Sequence, residues 1–252
     1  GDPSPDGKGT LEIAHARGNC NAYNAGWLTA LMKYPNFKHL IVIDDDEVAD
    51  PHWIENMCST AEKYGTDIVG GPQLPVFEKP EHQAYARHPV FTPHYSQTGP
   101  VPIVYSSGNL LVTKKLMETM GHPFFHLQFN FMGGGDADLI DRSVTKGFKV
   151  AWCNEAPVHE TVPPRRTESD WLRARSLRNG VISTLVLNAD MYRYWIVDVF
   201  STAFADGIAR AFSVAPSADA SRFDVVADKL CQLHARIWEG VPSWAPAKAF
   251  HA

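Results

Sequence analysis

Short apolar runs alternate with amphipathic stretches through roughly the first 160 residues, the pattern expected of α/β layering. Ala22, Ala25, Gly26, Leu28, Thr29 and Met32 give small and apolar faces, so Asn19–Tyr34 is expected to be a helix that stops before Pro35. Leu40–Ile43 is a continuous apolar run and is expected to be a strand buried on both faces. Pro51–Tyr64 follows as a helix, with proline in its first turn and Gly65 after its end. Asp67–Val69 is a second short strand, ended by Gly70-Gly71-Pro72. Ile103–Tyr105 and Leu110–Val112 flank the turn-like Ser106–Asn109, Asp136–Lys146 reads as a helix closed by Gly147, and Phe148–Trp152 reads as a strand.

Two stretches break this rhythm. Residues 72–102 carry seven prolines and three histidines among interleaved aromatics, which predicts an irregular excursion of functional rather than linking character. After Pro163-Pro164 the pattern becomes mostly helical as far as about Trp238. Thr167-x-x-Asp170 resembles a capping box, and Trp171–Asn179 is expected to be a helix ended by Gly180. A core over 1–164 and a helical extension over 165–252, packed on the core, are therefore expected.

Composition narrows the function classes. Of 252 residues, 44% are apolar and 20% charged, an ordinary globular balance. The net charge of −5 argues against a nucleic-acid partner. Cys20, Cys58, Cys153 and Cys231 form no CxxC pair, so a zinc ribbon or dithiol centre is not expected. No signal-peptide pattern opens the chain, and charged residues interrupt its most apolar region, Val181–Val214. In that region Met191, Trp195, Ile196, Val199 and Phe200 make an apolar stripe, either a core face or a membrane-contacting one.

Three clusters carry chemistry. The first is Asp44-Asp45-Asp46-Glu47, directly after the apolar run. On a strand, Asp44 and Asp46 share one face, and the carboxyl end of such a strand borders the ligand crevice of an open α/β sheet. Crowded carboxylates repel, and an oxygen-ligated Mg²⁺ or Mn²⁺ relieves the repulsion. The plainer alternative is a solvated acidic turn. The second cluster is Gly133-Gly134-Gly135-Asp136-Ala137-Asp138. Here Asp136 is either a helix N-cap or a carboxylate placed to act as a general base. The third is His159, followed by Arg165, Arg166, Arg173, Arg175 and Arg178. Neutral imidazole is a metal ligand, and guanidinium groups neutralise phosphate oxygens, although a solvated helix face explains some of these arginines equally.

Taken in order from Gly18 to Gly180, these segments resemble family 2 of the inverting glycosyltransferases. The resemblance rests on Gly18-Asn19 through Gly26, Asp44–Glu47 with Pro51-x-Trp53-Ile54, Ser107-Gly108-Asn109, Gly134–Leu139, and Val158-His159-Glu160 through Asn179-Gly180. The last is similar to members that build bacterial exopolysaccharides such as succinoglycan. The resemblance implies an α/β fold of GT-A type: a mixed, mainly parallel sheet flanked by helices, here without its opening strand–helix units and with a C-terminal helical appendage. It implies metal-dependent, inverting transfer of a sugar, expected to be UDP-linked, to a saccharide or lipid-linked saccharide hydroxyl.

The implied roles are specific. Asp46, Asp44 and His159 would hold Mn²⁺ or Mg²⁺. Asp44, Asp45, Asn24, Arg165 and Arg166 would contact the nucleotide-sugar. Gly108, Asn109, Gly134, Gly135 and Asp138 would border the acceptor, and Asp136 would be the base. The excursion at 72–102 and Phe124–Phe131 are candidate acceptor walls. The chain departs from the family where Gly135 stands in place of the usual glutamate. A cytoplasmic setting, at the inner face of the plasma membrane, is expected, with dimerisation through the tail. The alternative is a non-catalytic relative that binds a glycan or partner protein through its helical tail. A phosphoester hydrolase is disfavoured, because no carboxylates or histidines are spaced for a second metal.

Overall fold

A computed structural model describes Gly9 and residues 12–104 and 107–186. The tail stripe and the dimerising or partner-binding tail lie outside the described residues.

Helix α1 spans Asn19–Lys33 and buries Cys20, Asn24 and Trp27. Strand β1 covers His39–Val42, β2 Glu47–Ala49, and α2 Trp53–Tyr64. Trp53, Met57, Thr60 and Ala61 form the buried face of α2, and Gly65 ends it in the left-handed conformation at φ 58°, which glycine adopts without a Cβ penalty. Strand β3 is Ile68–Gly70, β4 Gln73–Phe77, β5 Gly99–Pro100 and β6 Leu110–Thr113. Thr113 caps α3 (Lys114–Met120) by accepting the Leu116 N–H at 3.2 Å, a helix the apolar pattern did not signal. Helix α4 runs over Gly135–Thr145, β7 over Val150–Trp152, β8 over Val158–Val162 and α5 over Ser169–Val186.

The strands form two sheets, in the orders β1-β6-β3-β7-β5 and β2-β8-β4. In the larger sheet β6 runs antiparallel to both β1 and β3, β5 runs antiparallel to β7, and only β3 and β7 are parallel. In the smaller sheet β2 is antiparallel to β8, and β4 is parallel to it. The sheets are therefore mostly antiparallel, which corrects the expected mainly parallel arrangement. Continuous apolar runs report burial on both faces, and Leu110–Val112 of β6 has that burial with antiparallel neighbours on either side. Ile68, Leu110, Val112, Val150 and Trp152 pack in a core shared with Trp27 of α1 and Leu139 of α4. The alternate residues Val69, Leu111 and Ala151 pack with Trp53 and Met57 of α2. The insertion of β6 between β1 and β3 sets the direction of the strands.

Other expectations are corrected locally. Strand β1 lies at the sheet edge, and all four of its residues are half-buried. Ile103 and Val104 are buried at 1% exposure each but belong to no strand. Thr167 makes no capping box: its hydroxyl donates to the Pro164 carbonyl at 2.7 Å, within a 3₁₀ turn over Pro164–Thr167. Helix α5 continues past Gly180 to Val186. The excursion is partly ordered by β4, by a 3₁₀ segment over Pro80–Arg87 and by a small core of Phe77, Phe91, Val162 and Leu172.

Candidate functional site

The acidic segment sits where the two sheets meet. Asp45 and Asp46 make a turn between β1 of the larger sheet and β2 of the smaller one. The Glu47 N–H donates to the Asp44 carbonyl at 3.3 Å, which closes the turn. Thus turn geometry, rather than strand alternation, aims Asp44 and Asp46 at the same space. Both line a cavity of about 600 Å³ together with Asp136, Gly134, Asn109, Arg165 and Arg166. Pro89–His94 of the excursion form one wall, and Arg175 and Arg178 of α5 form another.

Asp44 is held from three directions. Its Oδ1 accepts the Tyr23 hydroxyl at 2.7 Å, and its N–H donates to Glu47 Oε2 at 3.0 Å. Gly108 closes the third side, since a Cβ there would lie 2.7 Å from Asp44 Oδ2 and 3.0 Å from Glu47 Oε1. A side chain at position 108 would therefore displace the Asp44 and Glu47 carboxylates and the Gln73 amide. Gln73 donates to Glu47 Oε1, and burial pushes the Glu47 carboxyl up despite that bond.

Asp136 is not the N-cap of α4. Gly134 holds that position at φ 89°, and Asp136 stands inside the first turn, where the helix dipole favours a negative charge. Its Oδ1 accepts the Ala137 N–H at 2.9 Å. Burial raises the Asp136 carboxyl above its usual range, opposed by backbone donors and by Arg175. Neighbouring Asp44 adds to the rise. A carboxylate with a raised pKa is a stronger proton acceptor than an exposed one.

The basic wall is electrostatically crowded. Desolvation, and then Arg178, push Arg175 down to about 10, while Glu160 and Asp136 act in the opposite direction. Arg175 still carries its charge at neutral pH. Arg166 reaches Asp46 Oδ2 with Nη2 at 3.5 Å and donates to Glu160 Oε1 with Nη1. A cavity bordered by both carboxylates and guanidinium groups suits an anionic ligand that also carries hydroxyls.

Several expected contacts are spent elsewhere. Asn24 is 4% exposed, and its amide exchanges two hydrogen bonds with the Phe125 backbone, at 2.8 and 2.9 Å. It ties α1 to the 125 segment and does not face the cavity. Asn109 accepts the Trp53 indole N–H at 2.8 Å and donates to the Pro72 and Ala156 carbonyls at 3.0 and 2.8 Å, so its side chain is fully engaged in scaffolding. Asp138 pairs with Arg142 Nη2 at 2.8 Å and His126 Nδ1 at 3.1 Å rather than bordering an acceptor space. Gly135 is buried, and a Cβ there would meet Cys20 Sγ at 2.9 Å. Asp45 is exposed and outside the cavity lining. Within the stretch Phe124–Phe131, Phe124, Phe125 and Phe129 are core residues, while Leu127 and Phe131 are exposed.

His159 is also directed elsewhere. Its Nε2 lies 3.0 Å from Asp50 Oδ1, and the neighbouring Glu160 lines the cavity instead. Alternation along β8 allows one of the two to face the cavity, and this is the signal that could have found Glu160. Tyr23, Glu160, Trp171 and Ile182 were missed by the sequence reading; all but Tyr23 line the cavity.

Among the described residues no group of three His, Cys, Asp or Glu side chains stands ready to hold a metal ion. The donor set nevertheless fits a hard cation of the Mg²⁺ type, which is commonly held by one or two carboxylates, waters and substrate phosphates. Asp46 meets that description, being partly exposed, inside the cavity and only loosely paired at 3.5 Å.

Residues 11–125 match the family described as Glycosyl transferase family 2. The match ends before Asp136 and the basic wall. Over 148 residues the chain is 29% identical to the succinoglycan biosynthesis protein ExoM of Rhizobium meliloti (strain 1021). That alignment covers 56% of this chain and 45% of that protein, so the chain spans under half the length of the curated relative.

Proposed function

We propose, from the match of residues 11–125 to glycosyl transferase family 2, that the chain is a member of that family and transfers a sugar from a nucleotide-sugar, UDP-linked, to a hydroxyl of a saccharide or lipid-linked saccharide acceptor, with inversion. The observation that carries this reading is the shared cavity. Asp46 and Asp136, far apart in the chain, border one space together with Arg165, Arg166, Arg175 and Arg178.

In this reading the arginines receive the diphosphate of the donor. Asp46, with Asp44, holds Mn²⁺ or Mg²⁺, which when bound offsets the charge on the departing diphosphate. The acceptor oxygen attacks the anomeric carbon as the bond from that carbon to the diphosphate breaks. The acceptor proton passes to the Asp136 carboxylate, and the nucleoside diphosphate leaves with the bonding electron pair. A base placed in this way contributes about 10²–10⁴-fold to the rate. Pro89–His94 are assigned to the acceptor side, as are Gly108 and Gly134 through their backbones. Manufacture of an exopolysaccharide at the inner face of the plasma membrane belongs to the same proposal, as does the division into a core over 1–164 and an extension over 165–252. Among the described residues no helix is long and apolar enough to cross a membrane.

Transfer assays on Asp136→Asn test the assignment. Transfer should be lost while UDP binding in the presence of Mn²⁺ stays near the wild-type value. Retained transfer, or lost nucleotide binding, would remove Asp136 from the role of base.

A further inference from the structure

The acidic turn has a charge partner that the proposed donor chemistry does not explain. Arg166 lies between two carboxylates on different elements: Nη1 donates to Glu160 Oε1 on β8, and Nη2 stands 3.5 Å from Asp46 Oδ2 in the turn before β2. The two contacts are unequal, since the Glu160 bond is close and the Asp46 contact is at the limit of a hydrogen bond. The backbones of both acids are fixed. Glu160 pairs with Glu47 across β8 and β2, and the Thr161 N–H donates to the Asp46 carbonyl at 3.2 Å. Arg166 itself hangs from the 3₁₀ turn over Pro164–Thr167, where its N–H donates to the Pro163 carbonyl at 2.9 Å. The Arg166 side chain has the most rotatable bonds of the trio, and all three residues line the cavity.

We propose that Arg166 is the resident cation of the donor site, anchored on Glu160 and exchangeable at Asp46. Without donor, its guanidinium neutralises Asp46 and disfavours any second cation there by like-charge repulsion. When a nucleoside diphosphate enters, Arg166 keeps its bond to Glu160 and turns Nη2 from Asp46 to a phosphate oxygen, a stronger charge-assisted partner than a carboxylate at 3.5 Å. Asp46 is then released to its own cation. Glu160 is thus a positioning residue: it acts through Arg166 and confines that side chain to the two arrangements. Cation and diphosphate binding become positively coupled beyond their direct contact, and this added coupling resides in one side chain.

This inference rests on the proposed donor role of the cavity, and its test separates the two. Free Mn²⁺ is measured by electron paramagnetic resonance during titration of the wild type, Arg166→Gln and Arg165→Gln, with and without UDP. Arg165→Gln makes the same charge change one position away, at a residue that lines the cavity without a recorded bond to Asp46. Arg166→Gln should bind Mn²⁺ alone about tenfold or more tightly than the wild type, and Arg165→Gln less than about threefold more tightly. UDP should strengthen Mn²⁺ binding to both proteins, since its phosphate oxygens are themselves ligands, but by a larger factor in the wild type than in Arg166→Gln. Equal Mn²⁺ affinity in Arg166→Gln and the wild type, or equal gains in the two arginine variants, would overturn the exchange. Should Arg166→Gln fail to fold, Arg166→Lys gives the same reading. An ammonium cannot span both carboxylates, so a smaller gain is expected, and no gain overturns the proposal. Failure of UDP to strengthen Mn²⁺ binding to the wild type, with Arg166→Gln still tightened, would remove the donor reading and leave the pairing at Asp46 standing. Absence of Mn²⁺ binding in every protein would overturn both.

Discussion

The Tyr23 hydroxyl donates a 2.7 Å hydrogen bond to Asp44 Oδ1 and so ties the first turns of α1 to the acidic turn. Burial pushes that hydroxyl well above the usual phenol range, so it stays protonated and remains a donor at any physiological pH. Tyr23 sets the direction of a carboxylate that its own sequence segment gives no hint of touching.

Tyr23→Phe keeps the ring packed on Phe125, at a centroid distance of 4.9 Å, and removes only the hydroxyl. The expected loss is about 1.5–3 kcal/mol of stability, the range of a hydrogen bond to a charged group. Donor affinity should fall with it as Asp44 gains freedom. Thermal melting of the variant and calorimetric titration with UDP and Mn²⁺ check both. An unchanged UDP affinity would show that the orientation of Asp44 does not matter to the donor.

Asn109→Ala should destabilise the fold by about 2–4 kcal/mol, because it leaves the buried Trp53 N–H and the Ala156 carbonyl without their partner and takes one of two donors from the Pro72 carbonyl, which keeps the Val158 N–H. Urea unfolding measures the loss. Acceptor KM of the folded fraction should change little, in contrast to what an acceptor-binding side chain would give.

Asp136 links activity and stability to pH with opposite signs. Its pKa is raised in the folded state, so the fold disfavours the charged form. Transfer should therefore fall, as pH is lowered, at a higher pH than an ordinary carboxylate would set. Stability runs the other way: the penalty is fully present above the raised folded pKa and disappears below the unfolded one. Asp136→Asn should accordingly melt higher than the wild type at neutral pH, and the gain should shrink on acidification through that window. Melting curves across pH read this directly, and a gain independent of pH would contradict a half-buried, ionised Asp136.

Gly135 occupies the position where the family resemblance calls for glutamate, and the packing explains why no side chain fits. A Cβ would lie 2.9 Å from Cys20 Sγ and 3.3 Å from Phe125. Gly135→Ala should cost about 1–3 kcal/mol from overpacking. Cys20→Ala in the same protein should recover part of that loss, a non-additivity that a double-mutant cycle measures.

The elements with a strong local signature were legible. Helix α1 stops before Pro35, α2 ends at Gly65, and α4 and β7 fall close to where the spacing puts them. Strand direction was not legible, because a run such as Leu110–Val112 looks the same whether its neighbours run with it or against it. The site was partly legible for a related reason. Asp44, Asp46, Asp136, Arg165 and Arg166 stand out by charge, and all of them line the cavity. Asn24, Asn109 and Asp138 also looked functional, yet their side chains hold backbone carbonyls, an indole and an arginine. A polar residue in a motif does not reveal whether its partner is a ligand or the protein itself. His159 and Glu160 show the same limit at one-residue scale. Alternation on β8 separates them, and nothing in the sequence says which one points inward.

Anomalous diffraction from crystals soaked with Mn²⁺ and UDP tests the central claim most directly. A manganese peak beside Asp46, with the diphosphate between it and the arginine wall and Asp136 bordering the same space, is the expected result. Nucleotide density in any other part of the molecule, or a manganese peak away from the acidic turn, would contradict the account.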